Sequence, residues 1–200
     1  MRQRVVLGLG VLALVASACG ASGSSAASAS ASASGSHSAA PASVSAPSAS
    51  SGTASASATL GHLRLELRLD KTAWRVGEPM TGTATLTNTG PAIPITSSSE
   101  RLSFRYAEVG GTRKLEAVWP ADCVSGTFDP AKPITSGLIK SGGYSPDNPA
   151  DAWIKTFIEA VGVQLPAGRW DVTALTSVNV GDCGPLPAGP EATVRVVVLP

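Results

Sequence analysis

Between His62 and Asp70, Leu63, Leu65, Leu67 and Leu69 alternate with Arg64, Glu66, Arg68 and Asp70. A period of two puts all four leucines on one face of an extended chain, which predicts a strand with one buried and one solvated side. Arg75-Val76-Gly77-Glu78-Pro79 then has the glycine and proline of a turn. From Met80 to Asn88, Thr81, Thr83, Thr85 and Thr87 face one way and Gly82, Ala84 and Leu86 the other, a second strand. Short β-branched or alternating runs follow at Ile93–Thr96, Leu102–Ala107, Leu115–Trp119, Trp170–Val178 and Thr193–Leu199. Short strands at spacings of about ten residues, closed by Gly and Pro turns, predict an all-β antiparallel sandwich of seven to eight strands.

The eighth strand depends on residues 149–161. Asn148-Pro149-Ala150-Asp151 has the cap, the first-turn proline and the early carboxylate of a helix start, and Trp153, Ile154, Phe157, Ile158 and Val161 share a helical face. Ile154, Thr156 and Ile158 are β-branched, so a strand suits the same residues. The pattern alone leaves helix and strand open.

Upstream of residue 60 the pattern changes twice. Arg2 and Arg4 precede an unbroken apolar run from Val5 to Ala16, the charged-then-apolar layout of an export signal. About twelve residues make a helix of about 18 Å, too short for a hydrocarbon core of about 30 Å. From Gly20 to Thr59 the chain is 16 Ser, 14 Ala, 4 Gly, 2 Pro, 2 Thr, one Val and one His, with no charge. Side chains this small cannot offset a backbone ordering cost of about 1–2 kcal/mol per residue, so a disordered tether over residues 19–59 is expected, with a root-mean-square span of about 35 Å. Its Ser, Thr and Pro content also fits an O-glycosylated stalk. The expected organisation is a signal at 1–18, the tether at 19–59 and one folded domain at 60–200.

The small residues after the apolar run, Val15-Ala16-Ser17-Ala18, lead directly to Cys19 and Gly20. This segment resembles the lipobox of bacterial lipoproteins, with Ala16 where that family most often has Leu. The resemblance implies cleavage before Cys19, a diacylglyceryl group on its thiol, and a lipid-anchored position outside the cytoplasmic membrane. An ordinary signal peptide with an incidental cysteine is the alternative.

Three patches of the folded part also resemble a known pattern: Trp74-Arg75-Val76-Gly77-Glu78-Pro79, Ala84-Thr85-Leu86-Thr87-Asn88-Thr89-Gly90, and Leu165-Pro166-Ala167-Gly168-Arg169-Trp170-Asp171-Val172-Thr173-Ala174. They resemble immunoglobulin-like envelope domains, most closely the intracellular-proteinase-inhibitor type. The resemblance implies an immunoglobulin-like sandwich and a binding role, without naming a ligand.

Charge and chemistry narrow the function further. Formal net charge is +1; with Arg2 and Arg4 in the leader, the rest carries 13 basic and 14 acidic residues, which makes no case for nucleic acid as a partner. Cys123 and Cys183, an even pair in an exported domain, predict a disulfide. The repeated Asp122-Cys123 and Asp182-Cys183 offer a metal-binding alternative, although no close cysteine spacing marks a zinc site. Trp74, Trp119, Trp153 and Trp170 are expected in the core and at its rim, with a sugar-stacking platform as the alternative. His62 is the only histidine of the domain and stands at a strand edge, so an enzyme would have to rest on it.

No catalytic residue, cofactor or metal set is expected, and a monomer is. Residues 124–148, rich in Gly and Pro with Lys132, Lys140 and Tyr144, form the longest irregular segment and the expected partner-binding loop. The readings carried forward are a lipid-anchored, non-catalytic binding or scaffold module on the outer face of the membrane, a membrane-tethered peptidase inhibitor acting through that loop, and an envelope enzyme using His62.

Overall fold

A computed structural model describes residues 52–145 and 147–200. The expected signal segment, Cys19 and most of the expected tether lie outside the described residues. The described chain is mostly β, with one short helix. Its strands are β1 (Ala54–Leu60), β2 (Leu63–Leu69), β3 (Ala73–Arg75), β4 (Gly82–Asn88), β5 (Ile93–Ser97), β6 (Leu102–Glu108), β7 (Lys114–Leu115), β8 (Val124–Phe128), β9 (Ile134–Gly137), β10 (Gly168–Thr176), β11 (Asn179–Val180) and β12 (Ala192–Leu199). They form sheets in the orders β1-β2-β4-β9, β3-β12-β10-β6-β7 and β11-β5-β8.

The period-two leucines of β2 are all buried, as are Ala84 and Leu86 of β4 and Leu102, Phe104 and Tyr106 of β6. They meet Trp170, Val172 and Ala174 of β10 and Val194, Val196 and Val198 of β12 in one apolar cluster. β2 lies against both β10 and β12, so the four- and five-stranded sheets share this core. Asn88 is a buried polar residue whose amide is fully used: Nδ2 donates to Pro91 O and Phe128 O, and Oδ1 accepts from Gly90 N. Those bonds satisfy the turn after β4 from inside the core.

Several expectations need correction. Residues 54–59, expected in the tether, are strand: β1 pairs with β2 from Ala54↔Leu69 to Leu60↔Leu63. The link is a two-residue turn in which Gly61 takes a φ of 58° that a side chain would disfavour. Ala54 and Ala56 pack on the core. The β2 edge supplies the backbone hydrogen bonds that a free Ser/Ala chain lacks, so small side chains suffice here. The sheets are also not purely antiparallel, because β3, a strand not expected, runs parallel to β12 (Ala73↔Val197 to Arg75↔Leu199) and carries the buried Trp74. The expected strand Leu115–Trp119 shrinks to β7. Past Leu115 the chain turns aside, and Val118 N donates to Ser141 Oγ.

Residues 124–148 are not wholly irregular. β8 pairs with β5 and β9 with β4. Only Phe128 of β8 is buried, so its own pattern carries no alternation to read.

Of residues 149–161, 149–159 are helical and none is strand. A 3-10 turn, Pro149–Asp151, leads into α1 (Ala152–Glu159). Asp151 N donates to Asn148 O at 2.9 Å, and the Asp151 carboxylate accepts from Ser145 N. The β-branched residues are overruled by tertiary contact: Phe157 lies 5.3 Å from the Tyr106 ring and Trp153 5.7 Å from Trp170. Lys140 ends the helix, its Nζ donating to Phe157 O (3.1 Å), Ile158 O (2.8 Å) and Ala160 O. An ammonium on the terminal carbonyls satisfies groups that lack intrahelical partners and complements the helix dipole. Lys140→Met is therefore expected to lower stability by about 1 kcal/mol, measured as a urea midpoint shift at unchanged slope. Val161, expected on the helical face, falls beyond the helix end and is 84% exposed.

Candidate functional site

Two clefts open at opposite ends of β10. The first, of about 310 Å³, lies where β10 begins, between α1 and the turn after β3. It is lined by Val76, Trp153, Phe157, Leu165 and Pro166, with Arg113, Thr156 and Gln164 as its larger polar side chains. The turn is held by Glu78 N donating to Arg75 O and Arg75 N donating to the Glu78 carboxylate. Lys71 pairs with the same carboxylate, and these bonds, the lysine's first, keep it below the ordinary glutamate range.

Arg113 is the fixed cation of this cleft. The Gly110-Gly111 turn folds it back on Glu108, its Nε donating to Glu108 Oε2 at 2.8 Å and its Nη2 to Oε1. Nη2 also donates to Ala167 O at 3.0 Å, and the guanidinium lies 5.2 Å from the centre of the Trp170 ring. The hydrogen bond to Arg113 holds the Glu108 carboxyl below its usual range, and the carboxylate in turn raises the arginine. Among the described residues Nη1 has no protein partner. Gln164 Nε2 donates to Val161 O at 2.9 Å, which leaves its Oε1 as an acceptor. The Thr156 hydroxyl donates to Ala152 O and keeps its oxygen as an acceptor. The cleft thus offers an apolar, partly aromatic wall and a few neutral polar groups beside Arg113, namely the Gln164 amide and Thr156 Oγ1, with its ion pair neutral overall.

The second cleft, of about 480 Å³, is lined by Leu60, Gly61, His62, Leu63, Ile93, Val178, Asn179, Val180 and Gly189. Leu60 (60%) and Val180 (64%) are unusually exposed for large apolar side chains. His62 is exposed, its carbonyl accepts from Thr89 N and Oγ1, and its ring covers Gly90 so closely that a Cβ there would sit 2.5 Å from Cγ. The rest of the lining holds no serine, cysteine or carboxylate to work with the imidazole.

Cys123 and Cys183 are brought together at disulfide distance, their Cα atoms 6.2 Å apart. They join the start of β8 to the segment between β11 and β12, across β5, which pairs with both β8 and β11. The neighbouring Asp122 carboxylate accepts from Ser99 N (3.0 Å) and Ser98 Oγ (2.9 Å), bonds that lower its pKa, Ser99's first. Among the described residues no group of three or more His, Cys, Asp or Glu side chains is placed to hold a metal.

The four tryptophans divide: Trp74 and Trp170 are buried, while Trp119 and Trp153 are half-buried, and Trp153 lines the first cleft. Much of the expected partner loop is engaged internally. Tyr106 Oη donates to Ile139 O at 2.7 Å, Lys140 caps α1, and Tyr144 Oη donates to Glu159. Burial pushes the Tyr106 phenol well above its usual pKa. β8 and the turn at 129–132, with Lys132 N on Asp129 O, remain exposed.

Sequence reasoning named Trp153 and Trp170 but missed Arg113, Glu108 and Gln164. The acid and base flanking Gly110-Gly111 were the available signal for the pair, since such a turn brings both ends side by side.

No protein-family model matches the chain, and the search of curated proteins finds no match. Among solved structures the chain is similar to Spo0M, a sporulation control protein from Bacillus subtilis, at 18% identity and a TM-score of 0.31. The match covers 70% of this chain and 51% of that one, so the chain spans about half the length of that relative.

Proposed function

We propose that this protein is a cell-surface lipoprotein that presents a non-catalytic, immunoglobulin-like binding module at the outer face of the membrane. The observation that carries the reading is the order of segments: a charged and apolar leader, small residues ending at Cys19, a Ser/Ala segment, and strand structure from Ala54 onward. Two acyl chains on one cysteine hold a protein stably at a bilayer, whereas one chain holds it only marginally. The strand order supports an immunoglobulin-like domain. β2, β4 and β9 share one sheet and β6, β10 and β12 the other, the division in which strands A, B and E oppose C, F and G. The α1 cleft, apolar with a few convergent polar groups, supports binding as the role.

Cell fractionation with mass spectrometry tests the anchor. The mature chain is expected in the membrane fraction, beginning at Cys19 and carrying a diacylglyceryl mass, and Cys19→Ala is expected to abolish both cleavage and lipid addition. A mature chain free in the culture fluid with an unmodified amino end overturns the reading.

A further inference from the structure

We infer that the α1 cleft is a peptide-recognition site: it takes one bulky apolar side chain from an uncharged, extended segment of a partner protein and reads the adjoining backbone amide. This rests on the binding-module reading and names the chemistry of its ligand.

The argument starts from charge. Arg113 lines the cleft, yet its charge is matched at hydrogen-bond distance by Glu108. An anion gains little from a cation already paired, and it meets the Glu108 carboxylate as a repelling neighbour. A neutral acceptor is the better complement to the two N–H groups left on Nη1. Gln164 Oε1, whose amide nitrogen is anchored on Val161 O, asks for a donor. A carbonyl and an N–H carried by one small neutral group describe a peptide unit.

The remaining lining selects the side chain. Val76, Trp153, Phe157, Leu165 and Pro166 leave a largely apolar recess of about 310 Å³, room for a leucine- or phenylalanine-sized group. Polar side chains for a sugar are few: beside Arg113 the lining holds only Thr156, whose proton goes to Ala152 O, and Gln164, one of whose two amide N–H groups goes to Val161 O. Val76 of the lining is itself 53% exposed, so the apolar surface reaches the mouth of the recess. The wall is also rigid: the Trp153–Trp170 contact, the salt bridge and the Lys140 cap hold α1 and Arg113 without a ligand. A preformed recess keeps the ordering cost of binding low.

The test uses the full mature chain in lipid nanodiscs, with three probes followed by NMR at the Trp153 indole and the Gln164 amide. The probes are acetyl-Ala-Leu-Ala-amide, acetyl-Ala-Ala-Ala-amide and acetyl-Ala-Leu with a free carboxylate. The leucine amide is expected to shift both signals saturably and to bind about tenfold more tightly than the alanine peptide, the scale for a few carbons leaving water in a half-open recess. Thr156→Trp, which fills the recess from an exposed helix position, is expected to abolish the shifts without changing the circular-dichroism spectrum. Gln164→Leu is expected to weaken the leucine amide severalfold while leaving Trp153 in place. Equal binding of leucine and alanine peptides, tighter binding of the free carboxylate, or shifts that persist in Thr156→Trp each overturn the proposal. The nanodisc-bound chain remains a lipoprotein in every one of these outcomes. A partner crosslinked to the His62 cleft instead would retain the binding module and discard this site.

Discussion

Trp170→Ala is expected to destabilise the protein by about 3–5 kcal/mol, the range for truncating a fully buried large aromatic side chain. The ring is wholly buried in β10, its Nε1 donates to Pro166 O at 2.9 Å, and it touches both Trp153 and the Arg113 guanidinium. Truncation thus leaves a cavity, frees a carbonyl and removes the floor under the cation at once. These losses share one neighbourhood and are not additive. Thermal unfolding followed by near-ultraviolet circular dichroism measures the effect, and the α1 cleft is expected to lose ligand binding before the fold is lost. Trp170→Phe keeps most of the volume and isolates the hydrogen bond, with an expected cost of about 1–2 kcal/mol. A loss under about 1 kcal/mol for the alanine variant would contradict the packing described.

The second large effect is the Cys123–Cys183 bridge. The cysteines are 60 positions apart, so the chain-entropy model gives about 4 kcal/mol for the crosslink. The double variant Cys123→Ser/Cys183→Ser is expected to lose most of that in oxidising buffer and to match the reduced unaltered protein. Unfolding in urea with and without reductant checks it, and equal midpoints in the unaltered protein would refute the bridge. The first opening is expected at the small sheet, because β8 is exposed along all but Phe128 and is fastened at its start by Cys123. Hydrogen exchange in β8 and β11 is expected to rise before exchange in β2, β6 or β10.

Strands with one wet face were legible because their burial is written as a period of two. Leu63 to Leu69 is the clearest case; Leu102, Phe104 and Tyr106 are also buried as the pattern requires, although β6 buries Ser103 on its other face as well. β10 was legible too, although it buries Thr173 and Leu175 as well as the alternating face. β3, β8 and β9 were not legible, since three to five residues with little burial carry no periodic signal. The parallel register of β3 on β12 comes from a partner over a hundred residues away. The candidate site was half visible. Trp153 and Trp170 stand out in any reading, whereas Arg113 acquires meaning only when the turn sets it on Glu108 and the fold slides Trp170 beneath it.

The amino-acid sequence by itself determined the mostly β character of the described residues and the buried face of β2, because both follow from local composition and periodicity. Tertiary structure decided where residues had no local preference or two competing ones. Ala54–Leu60 became strand because the β2 edge satisfies its backbone, and Ala152–Glu159 became helix because Tyr106, Trp170 and Lys140 reward that geometry. A segment whose own pattern does not decide takes the conformation that its neighbours can hydrogen-bond and cover, whether they lie in the next strand, as β2 does for β1, or far along the chain, as Tyr106 does for α1.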